Sequence, residues 1–226
     1  MRLLIVIPAF NESKLIEQVV KTLPKKLVGI DNIDVILIDD GSTDDTARIA
    51  SKYKIYIARH LINRGAGAAT KTGISFARTK NYDLLVTFDA DGQHSPDDIP
   101  KIIEPVINGQ ADLVIGSRLK KNQEMPADRL ILNWLANLTT LIFFGVFSTD
   151  SQSGLKAFSK KAIELINIKS DKMEFSSEIL LEAKRHHLKI LEVPAKAIYT
   201  NYSLEKGQKN TNAIPVFIRM LTNLLR

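Results

Sequence analysis

Asp89 and Asp91 put two carboxylates one residue apart, and Gln93 repeats the spacing with an amide oxygen. Hard divalent cations such as Mg2+ or Mn2+ take oxygen ligands of this kind and commonly share them with substrate phosphates. In an extended backbone residues 89, 91 and 93 face one side. Asp89-Ala90-Asp91-Gly92-Gln93-His94 therefore reads as a cation site that holds a nucleotide diphosphate, with two solvated turn carboxylates as the plainer alternative. Position favours the first. The apolar run 84–88 ahead of the motif reads as a buried strand, and Ser95 with Pro96 behind it reads as the N-cap and first residue of a helix. A strand end that turns into a helix is where open α/β sheets bind ligands. His94 would support the carboxylates, whereas His60, His186 and His187 show no metal-ligand spacing and read as surface residues.

Three more stretches have the same strand-end character. Ile7-Pro8-Ala9-Phe10-Asn11-Glu12 closes the apolar run 3–7, and Phe10 could flank a nucleobase or merely cover the core. Ile38-Asp39-Asp40-Gly41-Ser42 closes the run 35–38; Asp39 could accept a base N–H, while Asp40 and Ser42 could simply stabilise the turn. Gly116-Ser117-Arg118 closes the run 111–115, and Arg118 offers the planar fork that suits a diphosphate. Gly65-Ala66-Gly67 resembles a phosphate loop but lacks the spacing and the Lys-Ser/Thr end of one, and reads as a tight loop letting a helix approach the ligand.

The elements that must position these tips follow from periodicity. Apolar residues at Leu15, Ile16, Val19, Val20 and Leu23 predict a helix over 12–23; Thr43 caps another, with Asp44 and Asp45 in its first turn. A third strand is expected over 55–58, a helix from the glycine loop to about residue 78, and a helix over 96–106. Strand and helix thus alternate four times with short connections, predicting an α/β fold with a mostly parallel sheet flanked by helices. All the tips then fall on one sheet edge. Residues 1–118 are expected to form a ligand-binding half, and 119–226 a second half of the same domain.

Past residue 118 the rhythm changes. Residues 120–126 are polar and read as a loop. Residues 130–147 are strongly apolar, with Trp134, Phe143, Phe144 and Phe147, but Asn133, Asn137, Thr139 and Thr140 interrupt them. A membrane span needs about 20 mostly apolar residues, so a core helix or a helix lying in the membrane interface is expected instead. Residues 152–158 return as a strand, 175–187 form a helix, and 190–193 and 197–200 are short strands around Pro194. Residues 202–212 form a basic loop, and 214–225 an amphipathic helix.

Composition narrows the partners. The 226 residues are 45% hydrophobic and 25% charged, an ordinary globular balance, and contain no cysteine. Disulfides, thiolate metal sites and cysteine nucleophiles are excluded. Residues 1–7 superficially resemble a signal peptide, but Pro8 and Asn11-Glu12 cut the apolar run short. The net charge of +6 is uneven: the first 115 residues are net −1 and the remainder net +7. The cationic half reads as a solvated lysine-rich surface or as a face that meets phosphate on a substrate or a membrane. Nucleic acid is not expected, because the basic residues are not interleaved with aromatics in any binding motif. Nothing in the sequence fixes the oligomeric state.

Together the motifs at 6–12, 38–44, 63–67, 89–94 and 116–118 resemble the family-2 glycosyltransferases. Thr149-Asp150-Ser151-Gln152-Ser153-Gly154-Leu155-Lys156-Ala157-Phe158 is similar to the dolichyl-phosphate mannose synthase and polyprenyl-phosphate glycosyltransferase branch. The resemblance runs from Leu3 to about Thr200 and implies a GT-A fold, a nucleotide-sugar donor (GDP- or UDP-linked), a divalent metal, Mg2+ or Mn2+, and inversion at the anomeric carbon. It implies that Pro8, Phe10, Glu12, Asp39, Asp89, Ala90, Asp91 and Arg118 bind the donor, and that Asp89, Asp91 and Gln93 hold the metal. Asp89, Asp91 and Arg118 would be catalytic. A lipid-phosphate acceptor would meet Gln152, Ser153, Lys206 and Lys209. The tail departs from the family pattern, since Glu205 and Gln208 stand beside those lysines where the synthases often carry an arginine, a glycine and Ser-Lys. The expected location is the cytoplasmic face of the membrane, bound peripherally.

Other readings lead elsewhere. If the acceptor is a sugar hydroxyl, a general base is needed, and Asp150 or Glu178 would supply it, although Asp150 could equally serve as a structural hydrogen-bonder to the loop 152–154. A phosphatase or phosphotransferase usually carries its aspartate pair on the first strand, whereas here it follows the fourth. A non-catalytic sensor would bind donor and metal without releasing nucleoside diphosphate.

Overall fold

The computed structural model describes residues 1–120, 127–200 and 202. Lys206, Lys209 and the helix expected over 214–225 lie outside them.

The first four strands are β1 (Arg2–Ala9), β2 (Asn32–Asp39), β3 (Tyr56–Arg59) and β4 (Leu84–Thr87). They pair in parallel, with Ile5 opposite both Val35 and Val86. Fully buried aliphatic runs such as Leu3 to Ile7 are what a strand covered on both faces requires. Between these strands lie α1 (Ile16–Thr22), α2 (Thr46–Ala50) and α3 (Ala66–Thr79). After β4 come a 3-10 turn at Pro96–Asp98, α4 (Ile99–Ile107) and β5 (Leu113–Ser117). Ser95 caps the 3-10 turn by accepting the Asp97 N–H, with Pro96 at its first position as expected.

The second half does not simply follow the first. After α5 (Ala127–Phe144) the chain returns as β6 (Lys156–Ser159), then α6 (Lys160–Leu165), α7 (Phe175–Arg185) and β7 (Ile190–Pro194). The sheet order is β3-β2-β1-β4-β6-β5-β7, and β6 runs antiparallel to both neighbours. The sheet is therefore mixed, and β5 is separated from β4 by a strand from beyond residue 118. The six co-directional strands still send their C-terminal ends to one edge. One core layer packs Ile16, Val19, Ile99, Ile102 and Ile103 on one face, and another packs Ile74, Ala77, Ile163, Ile179 and Leu180 on the other.

Local expectations shift in three places. Asp44, not Thr43, organises the start of α2: its carboxylate accepts the Thr46 and Ser13 N–H groups. Burial raises the Asp44 carboxyl, but those hydrogen bonds outweigh it and lower it to about 2. Residues 197–200 form no strand, only a bridge from Ala197 to His94. His60 is no surface residue; it is wedged between Asp40 (Nδ1 to Oδ1, 2.6 Å) and Thr72 (Nε2 to Oγ1, 2.9 Å).

Helix α5 is inside out. Asn133, Asn137 and Thr140 face the protein: Asn133 Nδ2 donates to Asp150 Oδ1 at 2.8 Å, Asn137 Nδ2 to Thr149 O at 2.6 Å, and Thr140 Oγ1 meets Ser177 Oγ at 2.9 Å. Leu130, Ile131, Trp134, Leu135, Leu141 and Ile142 face outward, with Ile131 59% and Ile142 66% exposed. No helix among the described residues is long and apolar enough to cross a membrane.

Candidate active site

The tips of β1 and β2 brace each other. Asn11, with φ +55°, turns the chain after Phe10; its N–H donates to Ser42 Oγ at 2.9 Å and its Oδ1 accepts the Thr43 N–H at 2.8 Å. The Glu12 N–H donates to Thr46 Oγ1, and Glu12 Oε2 accepts the Tyr202 hydroxyl, each at 2.8 Å. Pro8 is half-buried one residue before the end of β1, and Phe10 stands 41% exposed just past the strand. Asp39 is fully buried. Its Oδ1 accepts the Ser42 N–H at 3.0 Å, whereas Oδ2 has no well-directed hydrogen bond although Arg59 Nε lies 3.1 Å away. A buried carboxylate oxygen short of a donor is the feature a base N–H would satisfy. Asp40 is spent on the fold, accepting the N–H groups of Arg64 and Gly65.

The glycine loop approaches the protein's own chain. A Cβ on Gly65 would lie 2.4 Å from Asp171 O, and one on Gly67 2.4 Å from Ser170 O. These glycines let the segment 170–172 dock on the start of α3, where Asp171 O accepts the Ala68 N–H at 3.0 Å.

At the end of β4 the chain turns at once. Asp91 Oδ1 accepts the Gln93 N–H at 3.0 Å, and Gly92 supplies the positive φ of +75°. Residues 89, 91 and 93 are therefore arranged by a turn and not by strand alternation. The Asp89 carboxylate lies against Gly154, where a Cβ would be 1.9 Å from Oδ2. The buried His94 presents Nε2 to Asp89 Oδ2 at 3.2 Å, and its Nδ1 is buried without a partner. Although 40% of its side-chain surface reaches solvent, Asp89 sits in a recess: burial raises its carboxyl, but the His94 bond and the charges of His94, Arg118 and Lys156 outweigh this and hold it below the usual range. Asp91 goes the other way. Burial first, then the negative charge of Asp89, raises it to about 6. The oxygen donors of the two carboxylates suit a hard divalent ion. Among the described residues no three His, Cys, Asp or Glu side chains cluster as a metal site, so such an ion would draw further ligands from elsewhere, such as a diphosphate.

At the end of β5, Arg118 is already engaged. Its Nε and Nη2 donate to the two Asp150 oxygens at 2.8 Å each, and its N–H donates to Asp150 Oδ2 at 2.9 Å. Burial opposes the charges, but the pairing wins on both sides: Arg118 is raised and Asp150 lowered. Asp150 is thus a poor general base. Glu178 is also occupied, accepting the N–H groups of Lys169 and Ser170 at 2.9 Å. Ser153 Oγ donates to Gly116 O at 2.6 Å, and Gln152 Nε2 donates to Ser177 Oγ at 3.0 Å. The Tyr199 hydroxyl is buried without a hydrogen-bond partner, in the field of Arg118 and Asp150.

The model of one family, described as "Glycosyl transferase family 2", matches residues 4–175. The chain belongs to that family. Among relatives, an uncharacterised protein of Methanocaldococcus jannaschii is 45% identical over 94% of this glycosyltransferase and 87% of its own length. A UDP-N-acetylglucosamine–dolichyl-phosphate N-acetylglucosaminyltransferase of Methanococcus voltae is 39% identical over 96% and 94% respectively. The fold of the transferase is shared with glucosyl-3-phosphoglycerate synthase of Mycobacterium tuberculosis, solved with Mn2+, UDP-glucose and phosphoglyceric acid. That match has TM-score 0.66 and 21% identity, and covers 96% of this chain and 79% of the other. The GT-A expectation holds. The contacts made by Gly154, Asn133, Lys156 and the Arg118–Asp150 ion pair are not foreshadowed in the sequence motifs that contain these residues. A lysine inside the buried run Leu155 to Phe158 was the available signal for Lys156.

Proposed function

We infer that this family-2 glycosyltransferase moves a hexose from a UDP- or GDP-sugar to a polyprenyl or dolichyl phosphate, with inversion, at the cytoplasmic face of a membrane. The observation that carries this reading is α5. One face offers exposed Ile131, Trp134 and Ile142 to a lipid surface, while its other face holds, through Asn133, the Asp150 that orients Arg118. An apolar landing face on one side of the helix and, on the other, a hydrogen-bonded link through Asp150 to Arg118 suit an acceptor that is a phosphate on a hydrocarbon chain. The relative from Methanococcus voltae carries a dolichyl phosphate in its name. The sugar-hydroxyl reading loses support, because Asp150 and Glu178 are both committed to hydrogen bonds.

In this mechanism Asp39 accepts a base N–H, Phe10 flanks the base, and Pro8 and Glu12 shape the loop beneath it. Asp89, Asp91 and Gln93 would hold Mg2+ or Mn2+, which when bound neutralises charge on the diphosphate. An acceptor phosphate is already anionic at neutral pH. Its oxygen forms the new bond to the anomeric carbon as the bond to the nucleoside diphosphate breaks, the electron pair leaving with the diphosphate, and no proton has to be removed. The protein's work is alignment and screening of two anions. Arg118 faces the phosphates, helped by Lys206 and Lys209, with Gln152 beside the acceptor; Ser153 holds the loop through Gly116.

The test pairs donors with acceptors. UDP- and GDP-sugars with Mn2+ are offered a short-chain polyprenyl phosphate or soluble sugars, using wild type and Asp91→Ala. Transfer to the lipid phosphate that is lost in the folded Asp91→Ala variant is expected. Transfer to soluble sugars alone, or unchanged turnover without Asp91, would overturn the reading.

A further inference from the structure

Lys156 has no task in that mechanism, yet its charge reaches Asp89. It sits in the middle of the sheet on β6 and is 1% exposed. Its ammonium donates to Ser176 Oγ at 2.8 Å, to Ser151 O at 3.3 Å and to Ser153 O. All three partners are neutral oxygens. Burying a cation on neutral partners is costly, and an unbranched apolar side chain of similar volume would often serve a core as well or better. Burial lowers the amine to about 8, against the opposing pull of Asp150 and Asp89, so it remains mostly protonated at neutral pH.

The direction of its field gives the charge a use. The Lys156 ammonium is anchored on Ser153 O, one residue before the Gly154 backbone that lies against the Asp89 carboxylate, and its charge acts on Asp89. The Asp89 side chain keeps 40% of its surface open to solvent. A bare divalent cation held by Asp89 and Asp91 feels Lys156 as repulsion. Bound to the diphosphate of a nucleotide-sugar, whose two negative charges it cancels, the same cation is part of a neutral complex that the lysine does not repel.

We propose that Lys156 is a positioning residue that makes the Asp89–Asp91 site a poor trap for a free divalent cation and a receptor for a cation already carried by a diphosphate. The metal then enters with the donor. The proposal rests on reading Asp89 and Asp91 as the cation site, and not on the identity of the acceptor.

The test uses the full chain and Mn2+ alone, with free Mn2+ followed by electron paramagnetic resonance. Lys156→Met removes charge and donors; Lys156→Gln removes charge and keeps an amide donor; Lys156→Arg keeps charge. Either neutral variant that keeps the native circular dichroism is expected to bind Mn2+ on the order of tenfold more tightly than wild type, whereas Lys156→Arg stays at the wild-type value. Mn2+ affinity that is unchanged, weaker or undetectable in a folded neutral variant overturns the proposal. So does equal tightening in Lys156→Arg, or loss of fold in both neutral variants, which would make the lysine structural. No readout involves an acceptor, so failure here leaves lipid-phosphate transfer standing, and failure of that transfer leaves this result interpretable.

Discussion

Replacing Gly154 by alanine tests whether the seat of Asp89 governs turnover. The new Cβ would stand 1.9 Å from Asp89 Oδ2 and 2.3 Å from both Cγ and Oδ1, while real contacts to a Cβ essentially never fall under 3.0 Å. The carboxylate has to retreat by about 1 Å, because the other side of the clash is the backbone of the strand-leading loop, pinned by Thr87 Oγ1 to Gly154 O at 2.7 Å. Retreat also breaks the 3.2 Å contact with His94. A displacement of about 1 Å in a positioning group can cost about a hundredfold in rate, equivalent to about 2.7 kcal/mol of transition-state stabilisation. Stability should suffer less, since Asp89 is 40% exposed and can swing toward solvent. Steady-state transfer from the matched nucleotide-sugar to a short-chain polyprenyl phosphate at saturating Mn2+, beside a thermal melt, separates the two effects. Activity within threefold of wild type in a folded Gly154→Ala protein would refute the claim that the carboxylate's position matters.

Two other outcomes follow from the same geometry. Asp91, raised from 3.8 to about 6 in the folded protein, binds its proton more tightly than in the unfolded chain. Its contribution to stability is fully present below pH 3.8 and lost as pH rises through about 6, so metal-free wild type should lose melting temperature across that window relative to Asp91→Asn; parallel curves would contradict it. Changing Ile131, Trp134 and Ile142 of α5 together to serine should leave the melting temperature nearly unaltered, because these side chains face outward. The triple variant should nonetheless co-sediment several-fold less with anionic liposomes at low salt, and equal sedimentation would remove the lipid surface from the model.

Much of the candidate site was legible because parallel α/β sheets impose a rule: aliphatic runs of strand length end in polar tips, and the tips share an edge. Val6 to Glu12, Ile38 to Ser42 and Asp89 to His94 obeyed it. The partnerships of those tips were not legible. Whether Arg118 meets a ligand or Asp150 depends on a contact across 32 positions, and Gly154 matters only because Asp89 arrives beside it. Short buried runs such as Lys156 to Ser159 carry no mark of direction, so the antiparallel insertion of β6 could not be read from periodicity. Helix α5 defeated the rule that apolar residues face inward. Its sequence shows both a polar and an apolar face, and only the packing shows that the polar one is turned toward the protein.

The insertion of β6 also sets a timetable for synthesis. β5 ends at Ser117, but its bridge to β4 begins only at Lys156. A nascent chain that has emerged through β5 has all four strand-end tips and still lacks the strand that joins β5 to the rest. Long-range pairings of this kind close late. The peptide that closes the sheet also brings Asp150 to Arg118 and Gly154 to Asp89. The transferase should therefore acquire its active site in the same event that completes its fold, with no half-built catalyst loose on the ribosome.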